Sequence, residues 1–155
     1  MLAMTHCDAA KLSKQHGKKA EYALCASQWH KTLSYTDAFF KDGMTYDADF
    51  KKAFGYAPPY QAAESSAALL VFKDAFERAN DFNTKKVRNA LAKTDMQTFY
   101  GNIKFAKGGQ NVSKPMVLFQ VICNSDGSKC ENKVVAPTKW ASAALVHPTP
   151  SWSKR

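Results

Sequence analysis

The sequence predicts an α/β fold with a largely parallel sheet that helices cover on both faces. A helical pattern over residues 2–16 ends at Gly17, and a short apolar stretch typical of a strand follows at residues 21–25. Two more helices and two strand-like runs then follow one another between residues 56 and 121. A helix, a short loop and a strand form half of a βαβ unit, which favours parallel strands.

The longest predicted helix runs from Tyr60 to about Ala79. Pro58 and Pro59 precede it and end the element before it, since proline has no backbone donor. A second helix begins near Asn83, whose side chain can accept from a free backbone amide. Large apolar residues recur along the first helix at helical spacing, and small ones allow close approach: Leu69, Phe72, Phe76 and Ala79, with Ala62, Ala63, Ala67 and Ala68.

Two strand-like runs follow at residues 98–105 and 116–122, joined by a turn with Gly108 and Gly109. The ordered segments FNTKKVRNAL, TFYGNIKF and GGQNVSKPMVLFQV closely resemble the C-terminal part of one bacterial family. That family comprises the substrate-binding proteins of branched-chain-amino-acid-type ABC transporters, or leucine-binding-protein domains. The positions that match its motifs are Tyr100, Gly101, Ile103 and Phe105, then Gly109, Gln110 and Asn111, then residues 114–120.

The resemblance implies an incomplete type I periplasmic-binding-protein fold, made of pieces of Rossmann-like lobes with parallel sheets. Residues 1–55 would belong to the second lobe, and residues 56–60 would be a hinge crossing. Residues 61–122 would belong to the first lobe, and residues 123–155 would form a C-terminal hairpin and return segment. The match covers nearly the whole chain but only about the second half of the family pattern. We therefore expect a fragment of a longer protein.

The loop after the first predicted strand is the best binding-site candidate by position. In open α/β sheets, ligands bind outside the carboxyl ends of the strands. Ser27 and Gln28 supply hydrogen-bonding groups there, and Trp29 supplies a flat apolar wall. The alternative is a loop whose Trp29 only packs on the edge of the sheet.

Three residues on the hinge side are further candidates by resemblance to the family. Tyr60, Gln61 and Glu64 open the long helix, directly after the predicted crossing. For Glu64 the alternative is a cap or an ion pair on the helix surface.

The family mechanism implies two lobes that close on a small molecule without covalent chemistry or a cofactor. The closed form would then dock on an ABC permease in the membrane. Relatives that bind leucine-like amino acids commonly hold the ammonium group with an acid, whereas this loop offers neutral Gln28 and bulky Trp29. The resemblance implies a branched-chain or other hydrophobic or aromatic amino acid as the ligand, and this departure leaves room for an aromatic or other hydrophobic carboxylate instead.

Catalytic and metal-binding patterns are not found in the sequence. His6, Cys7 and Asp8 are adjacent, so on a helix their side chains point about 100° apart and do not converge. No zinc spacing, glycine-rich phosphate loop or nucleophile motif occurs. We therefore expect neither an enzyme nor a metal protein.

The net charge of +9 arises from scattered lysines rather than a basic stripe with interleaved aromatic residues. Nucleic-acid binding is thus the weaker alternative, and we expect no nucleic-acid partner. The second hypothesis, ahead of nucleic-acid binding, is a remnant that binds nothing, because the missing half would supply the other wall of the cleft. In that case the apolar face at Leu69, Phe72 and Phe76 would be exposed and promote association.

The cysteines leave two interpretations open. Cys123 and Cys130 flank the turn residues Asp126-Gly127, so they either close a disulfide across a hairpin or remain free thiols. Cys7 and Cys25 are expected to be small buried hydrophobic residues. The resembling family is periplasmic, but residues 1–6 lack the pattern of an export signal, so this chain is expected to be cytoplasmic if made as it stands.

Overall fold

The computed structural model describes residues 3–5, 7–114 and 116–154, and the predicted α/β class is confirmed there. The helices are α1 (Ala9–His16), α2 (Gly43–Phe54), α3 (Tyr60–Ala79) and α4 (Thr84–Leu91). The strands are β1 (Ala3–Thr5), β2 (Leu24–Ser27), β3 (Thr36–Asp37), β4 (Lys41–Asp42), β5 (Asp95–Thr98), β6 (Gly101–Lys104), β7 (Val117–Cys123) and β8 (Cys130–Ala136). Among the described residues, no helix combines the length and the hydropathy needed to cross a membrane.

The chain forms two compact units. One is built from its two ends, Met1–Gln28 and Met116–Arg155, and contains α1 and the sheet of β1, β2, β7 and β8. The other is the continuous stretch Trp29–Pro115, with α2, α3, α4 and two small hairpin sheets. Residues 56–60, the predicted hinge crossing, lie inside this second unit. The assignment of segments to the lobes of the family stays a prediction.

The sheet of the first unit has the strand order β1-β2-β7-β8. β1 and β2 are parallel, whereas β2 with β7 and β7 with β8 are antiparallel. The sheet is therefore mixed and not wholly parallel, because β7 runs back against β2. The first strand was expected over residues 21–25 but begins at Leu24, since Tyr22 has a φ of 64°, which interrupts extended backbone.

Two disulfides stabilise this unit. Cys123 and Cys130 face each other in the register of the β7–β8 hairpin and are bonded to each other. Cys7, which precedes α1, is bonded to Cys25 in β2. The expectation that Cys7 and Cys25 are unbonded hydrophobic residues was therefore wrong, although Cys25 is only 1% exposed. The pairing depends on the course of the chain through α1, which spacing alone does not reveal.

A buried glutamine connects β7 to the C-terminal segment. Gln120 is 0% exposed, and its side-chain amide donates to the carbonyl oxygens of Val146, at 3.1 Å, and Tyr22, at 3.4 Å. Its Oε1 accepts from the backbone N–H of Val146 at 2.8 Å. A fully buried amide is stable only when its polar atoms are paired, and here the backbone of the tail supplies the partners.

Replacing Gln120 with leucine should destabilise the first unit by about 2–4 kcal/mol, because partly buried backbone groups at Val146 and Tyr22 lose their partners. Urea unfolding followed by circular dichroism measures the change. Gln97→Leu is the matched control, because Gln97 also bonds a backbone carbonyl but is exposed. A Gln120→Leu protein as stable as the control would show that the hydrogen bonds of Gln120 to Val146 and Tyr22 contribute nothing to stability.

The second unit has an aromatic core. The Phe99 ring is 0% exposed and packs against Tyr46 at 4.3 Å between ring centroids and against Phe40 at 5.0 Å. The predicted helix at Tyr60–Ala79 is confirmed, and so is the Asn83 cap of α4, whose Oδ1 accepts from two backbone amides. The buried face of α3 is formed by small residues, Ala63, Ala67, Val71 and Ala75.

Candidate functional site

Ser27 and Gln28 lie at the carboxyl end of β2 in the first unit. Ser27 is the last residue of the strand, pairs in register with Val117 of β7 and is 7% exposed. Gln28 follows it directly and is half-buried. The strand end thus places one covered hydroxyl and one partly accessible amide at the position where open sheets bind ligands.

Trp29 belongs to the second unit, although it follows Gln28 in the chain. Its ring is 5% exposed and meets the rings of Tyr46, at 5.9 Å, and Phe99, at 6.1 Å, nearly edge-on. The contacts favour the packing interpretation of Trp29, with the difference that it packs into an aromatic core and not on a sheet edge. Its side chain anchors the start of this unit.

The candidates on the hinge side lie in the first turns of α3. Tyr60 is half-buried, whereas Gln61 and Glu64 are exposed. The carbonyl of Pro59 accepts from the backbone amides of residues 62 and 63, so the helix begins without a capping side chain. Glu64 acts electrostatically on two residues that the sequence analysis did not select, Tyr100 and Lys114.

Lys114 is the most unusual charged residue of the second unit. Its Nζ lies 4.0 Å from the centroid of the Tyr100 ring, which is a cation–π geometry. That nitrogen is buried, and it has no hydrogen-bond partner among the residues that the structure describes. Burial lowers the pKa of Lys114 to about 8, although Glu64 acts in the opposite direction. Burial also raises the pKa of Tyr100, and Glu64 and Tyr60 add to that increase.

The close approach of Lys114 depends on a glycine. A Cβ on Gly101 would lie only 2.5 Å from the Cδ and Cε of Lys114, and the φ of Gly101 is 148°, which favours glycine. Both Gly101 and Lys114 lie in the segments that resemble the motifs of the family. The glycine at the start of β6 was visible in the sequence. The sequence did not show that the side chain of Lys114 fills the space beside it.

A buried ion pair stabilises the start of α2. Asp47 is 7% exposed, and its Oδ2 accepts from the Nζ of Lys31 at 3.1 Å and from that of Lys51 at 2.6 Å. Burial alone would raise the pKa of Asp47, but the hydrogen bonds from Lys51 and Lys31 outweigh it and lower that pKa. Asp47 is thus a structural anion whose charge is compensated. Among the described residues, no group of three or more acids, histidines and cysteines is arranged to bind a metal ion.

Replacing Lys114 with methionine should stabilise the second unit at pH 7 by about 1–2 kcal/mol, because it removes a buried ammonium without an acceptor and retains an unbranched apolar side chain. Urea unfolding at a series of pH values measures it. In the wild type, the folded pKa of about 8 lies below the ordinary value of 10.5. Between these values the unfolded chain binds more protons, so wild-type stability should rise as the pH rises from 8 to 10.5.

The methionine variant should lack the part of this rise that Lys114 causes. Lys107→Met is the control, since Lys107 is exposed in a turn of the same unit and its loss should leave the rise intact. If Lys114→Met unfolds more easily than the wild type at pH 7, the contact between Lys114 and Tyr100 is net stabilising. The idea that the buried ammonium of Lys114 destabilises the unit would then be wrong.

Comparison with protein families decides the family. The model of the periplasmic binding protein family matches residues 1–128. The chain belongs to this family.

Solved structures show the same fold. A leucine-binding protein from Thermotoga maritima aligns over 88% of this chain and 37% of its own, with 21% identity and a TM-score of 0.66. A leucine-, isoleucine-, valine-, threonine- and alanine-binding protein from Brucella ovis, in a closed conformation, aligns over 96% of this chain and 39% of its own, with 17% identity and a TM-score of 0.68. A branched-chain amino acid transporter substrate-binding protein from Streptococcus pneumoniae, in complex with isoleucine, aligns over 83% of this chain and 34% of its own, with 16% identity and a TM-score of 0.58.

The chain thus spans less than two fifths of the length of these structures. The relatives are solute-binding proteins and not enzymes, and the expected family and fold are confirmed at partial coverage.

Proposed function

We propose that this chain is part of the solute-binding component of an ABC uptake system. The proposed ligands are branched-chain or other hydrophobic amino acids, or similar small carboxylates. The observation that carries the proposal is the family match over residues 1–128, joined to the leucine- and isoleucine-binding proteins that share the fold. In this proposal the closed, ligand-bound protein docks on a membrane permease.

Ser27 and Gln28 are the proposed polar contacts of the ligand. They occupy the carboxyl end of β2, where the general rule for open α/β sheets puts ligands. Gln28 is the stronger candidate, since it is half-buried whereas Ser27 is 7% exposed. Trp29, the residue after Gln28, is proposed to anchor the chain where the second unit begins. It is not proposed to stack on the ligand, because its ring packs against Tyr46 and Phe99.

Tyr60, Gln61 and Glu64 are the proposed contacts in the second unit. Gln61 and Glu64 are exposed at the start of α3, where no side chain caps the helix. Glu64 offers the carboxylate that an α-ammonium group requires, whereas Gln28 is neutral. An amino acid ligand would therefore depend on Glu64, whereas a simple carboxylate would not.

We propose a periplasmic location for the protein. Disulfides persist in oxidising compartments, and the bonds Cys7–Cys25 and Cys123–Cys130 both lie in the first unit. This supports export, as in the family whose members bind solutes outside the cytoplasmic membrane.

Ligand binding should raise the thermal unfolding temperature of the chain. A ligand that binds only the native state adds about 2.7 kcal/mol of stability at a concentration 100 times its Kd. Differential scanning fluorimetry with leucine, isoleucine, valine, phenylalanine and phenylacetate measures the change, with glucose as the control solute. A cooperative transition that one of these ligands raises would support the proposal, and Gln28→Ala should reduce that rise.

Glu64→Gln distinguishes the ligand classes, because it should abolish the rise with amino acids and spare that with phenylacetate. A transition that no ligand moves would contradict binding by this chain.

The second candidate is a non-binding remnant of such a protein. It is favoured by the exposure of Leu69 and Phe72 on α3, which leaves an apolar face of this unit accessible. A ligand-blind transition would agree with this candidate and refute the first.

A further inference from the structure

Helix α3 carries a row of apolar residues on its surface. Leu69 is 65% exposed and Phe72 is 46% exposed, and Phe82, just beyond the helix, is 86% exposed. Phe76 connects Phe72 to Phe82, because its ring stacks on Phe72 at 6.1 Å and lies 5.3 Å from the Phe82 ring. Leu69 lies about one helical turn before Phe72, on the same face of α3. We call these four residues the α3 row. A contiguous exposed apolar surface of this kind marks an interaction site.

The row differs from the other face of the same helix. The alanines at 63, 67 and 75 and Val71 are buried and provide the packing of α3 within its own unit. Phe76 and Ala79 are partly buried and pack against the cluster of Ala75, Val87 and Ala90, which holds α4 on one flank of the row. The internal packing of the unit is therefore satisfied without Leu69 and Phe72.

Charges of both signs lie on the other flank of the row. Lys73 and Glu77 are one helical turn apart, and the Lys73 Nζ is 2.6 Å from the Glu77 Oε1. Both side chains are mostly exposed, at 60% and 64%. Lys73 follows Phe72 and Glu77 follows Phe76, so at about 100° per residue each charge lies to the same side of the row.

This arrangement is complementary to itself. A two-fold axis across two antiparallel helices brings each flank opposite the same flank of the other copy, in reversed order. Lys73 then faces Glu77 of the second copy, and Glu77 faces Lys73. The Leu69 end of one row meets the Phe82 end of the other, and the small Ala79 leaves room for Phe72.

We propose that the α3 row binds the α3 row of a second copy of this chain, with the two helices antiparallel. The apolar residues supply the buried surface, and the two symmetric Lys73–Glu77 contacts fix the direction of the helices. This inference is independent of the proposed function, because a chain that binds no solute would still present the row.

Sedimentation equilibrium over a wide range of chain concentrations tests the association. The wild type should form dimers, and Phe72→Glu should remove them, because a carboxylate would be buried against the apolar row. Phe54→Glu is the matched control, since Phe54 is also an exposed phenylalanine on a helix of this unit, at 61% exposure. It should dimerise like the wild type. Circular dichroism verifies that each variant is folded.

A charge swap tests the antiparallel arrangement. Lys73→Glu and Glu77→Lys should each weaken dimerisation about tenfold, because each brings like charges together twice across the axis. An equimolar mixture of the two variants should restore it, because one copy then presents two acids and the other two lysines. Loss of folding in either variant would not produce this rescue.

Three outcomes would overturn the proposal. A wild-type chain that stays monomeric at every concentration would show that the row serves something other than a second copy. A Phe72→Glu chain that dimerises like the wild type would place the interface elsewhere. A mixture that associates no better than the single variants would rule out the antiparallel contact.

Discussion

The antiparallel pairing of β2 with β7 is the constraint on which the rest of the structure depends. It joins Leu24–Ser27, near the start of the chain, to Val117 and the residues after it. The entropic cost of closing such a long loop grows only with the logarithm of its length, so buried contacts can outweigh it. Those contacts are present, because Cys25, Phe119 and Val121 are 5% exposed or less.

Because β2 pairs with β7, the long stretch of chain between them must start and end next to this sheet. In the sequence, residues 29–115 separate the two paired strands, and they form a unit with a core of its own. Asp37 helps to organise that core, because its carboxylate accepts from the backbone amides of Phe40 and Phe99, both at 2.6 Å. The ring of Phe99 is thereby held at the centre of the aromatic cluster. The ring of Trp29 packs into this cluster and is 5% exposed, so little of its surface is accessible to a ligand.

The parts of the fold that the sequence predicted are those with local causes. The helix from Tyr60 to Ala79 follows from two prolines before it and from helical spacing within it, and the Asn83 cap follows from the chemistry of its side chain. The family could be recognised because its motifs are short, ordered segments. Its membership then predicted the fold class without any knowledge of long-range contacts.

What the sequence did not reveal depends on residues that meet only after folding. The direction of β7 relative to β2 is a long-range property, so a largely parallel sheet was predicted where the structure has a mixed one. The Cys7–Cys25 bond and the burial of Trp29 have the same origin. Lys114 was missed because its environment comes from Tyr100 and from the missing side chain of Gly101, neither of which is its neighbour in sequence.

The two ends of this chain fold together through β2 and β7. Hydrogen exchange of backbone amides, measured by NMR, tests this pairing. The N–H of Val121 donates to the carbonyl of Ala23, and the N–H of Tyr22 donates to the carbonyl of Val121. Both amides should be among the slowest to exchange, with equal free energies of opening, because one cooperative event exposes them. Rapid exchange of Tyr22 and Val121, alongside protected amides in α3, would show that residues 29–115 fold without the paired ends and would contradict the account.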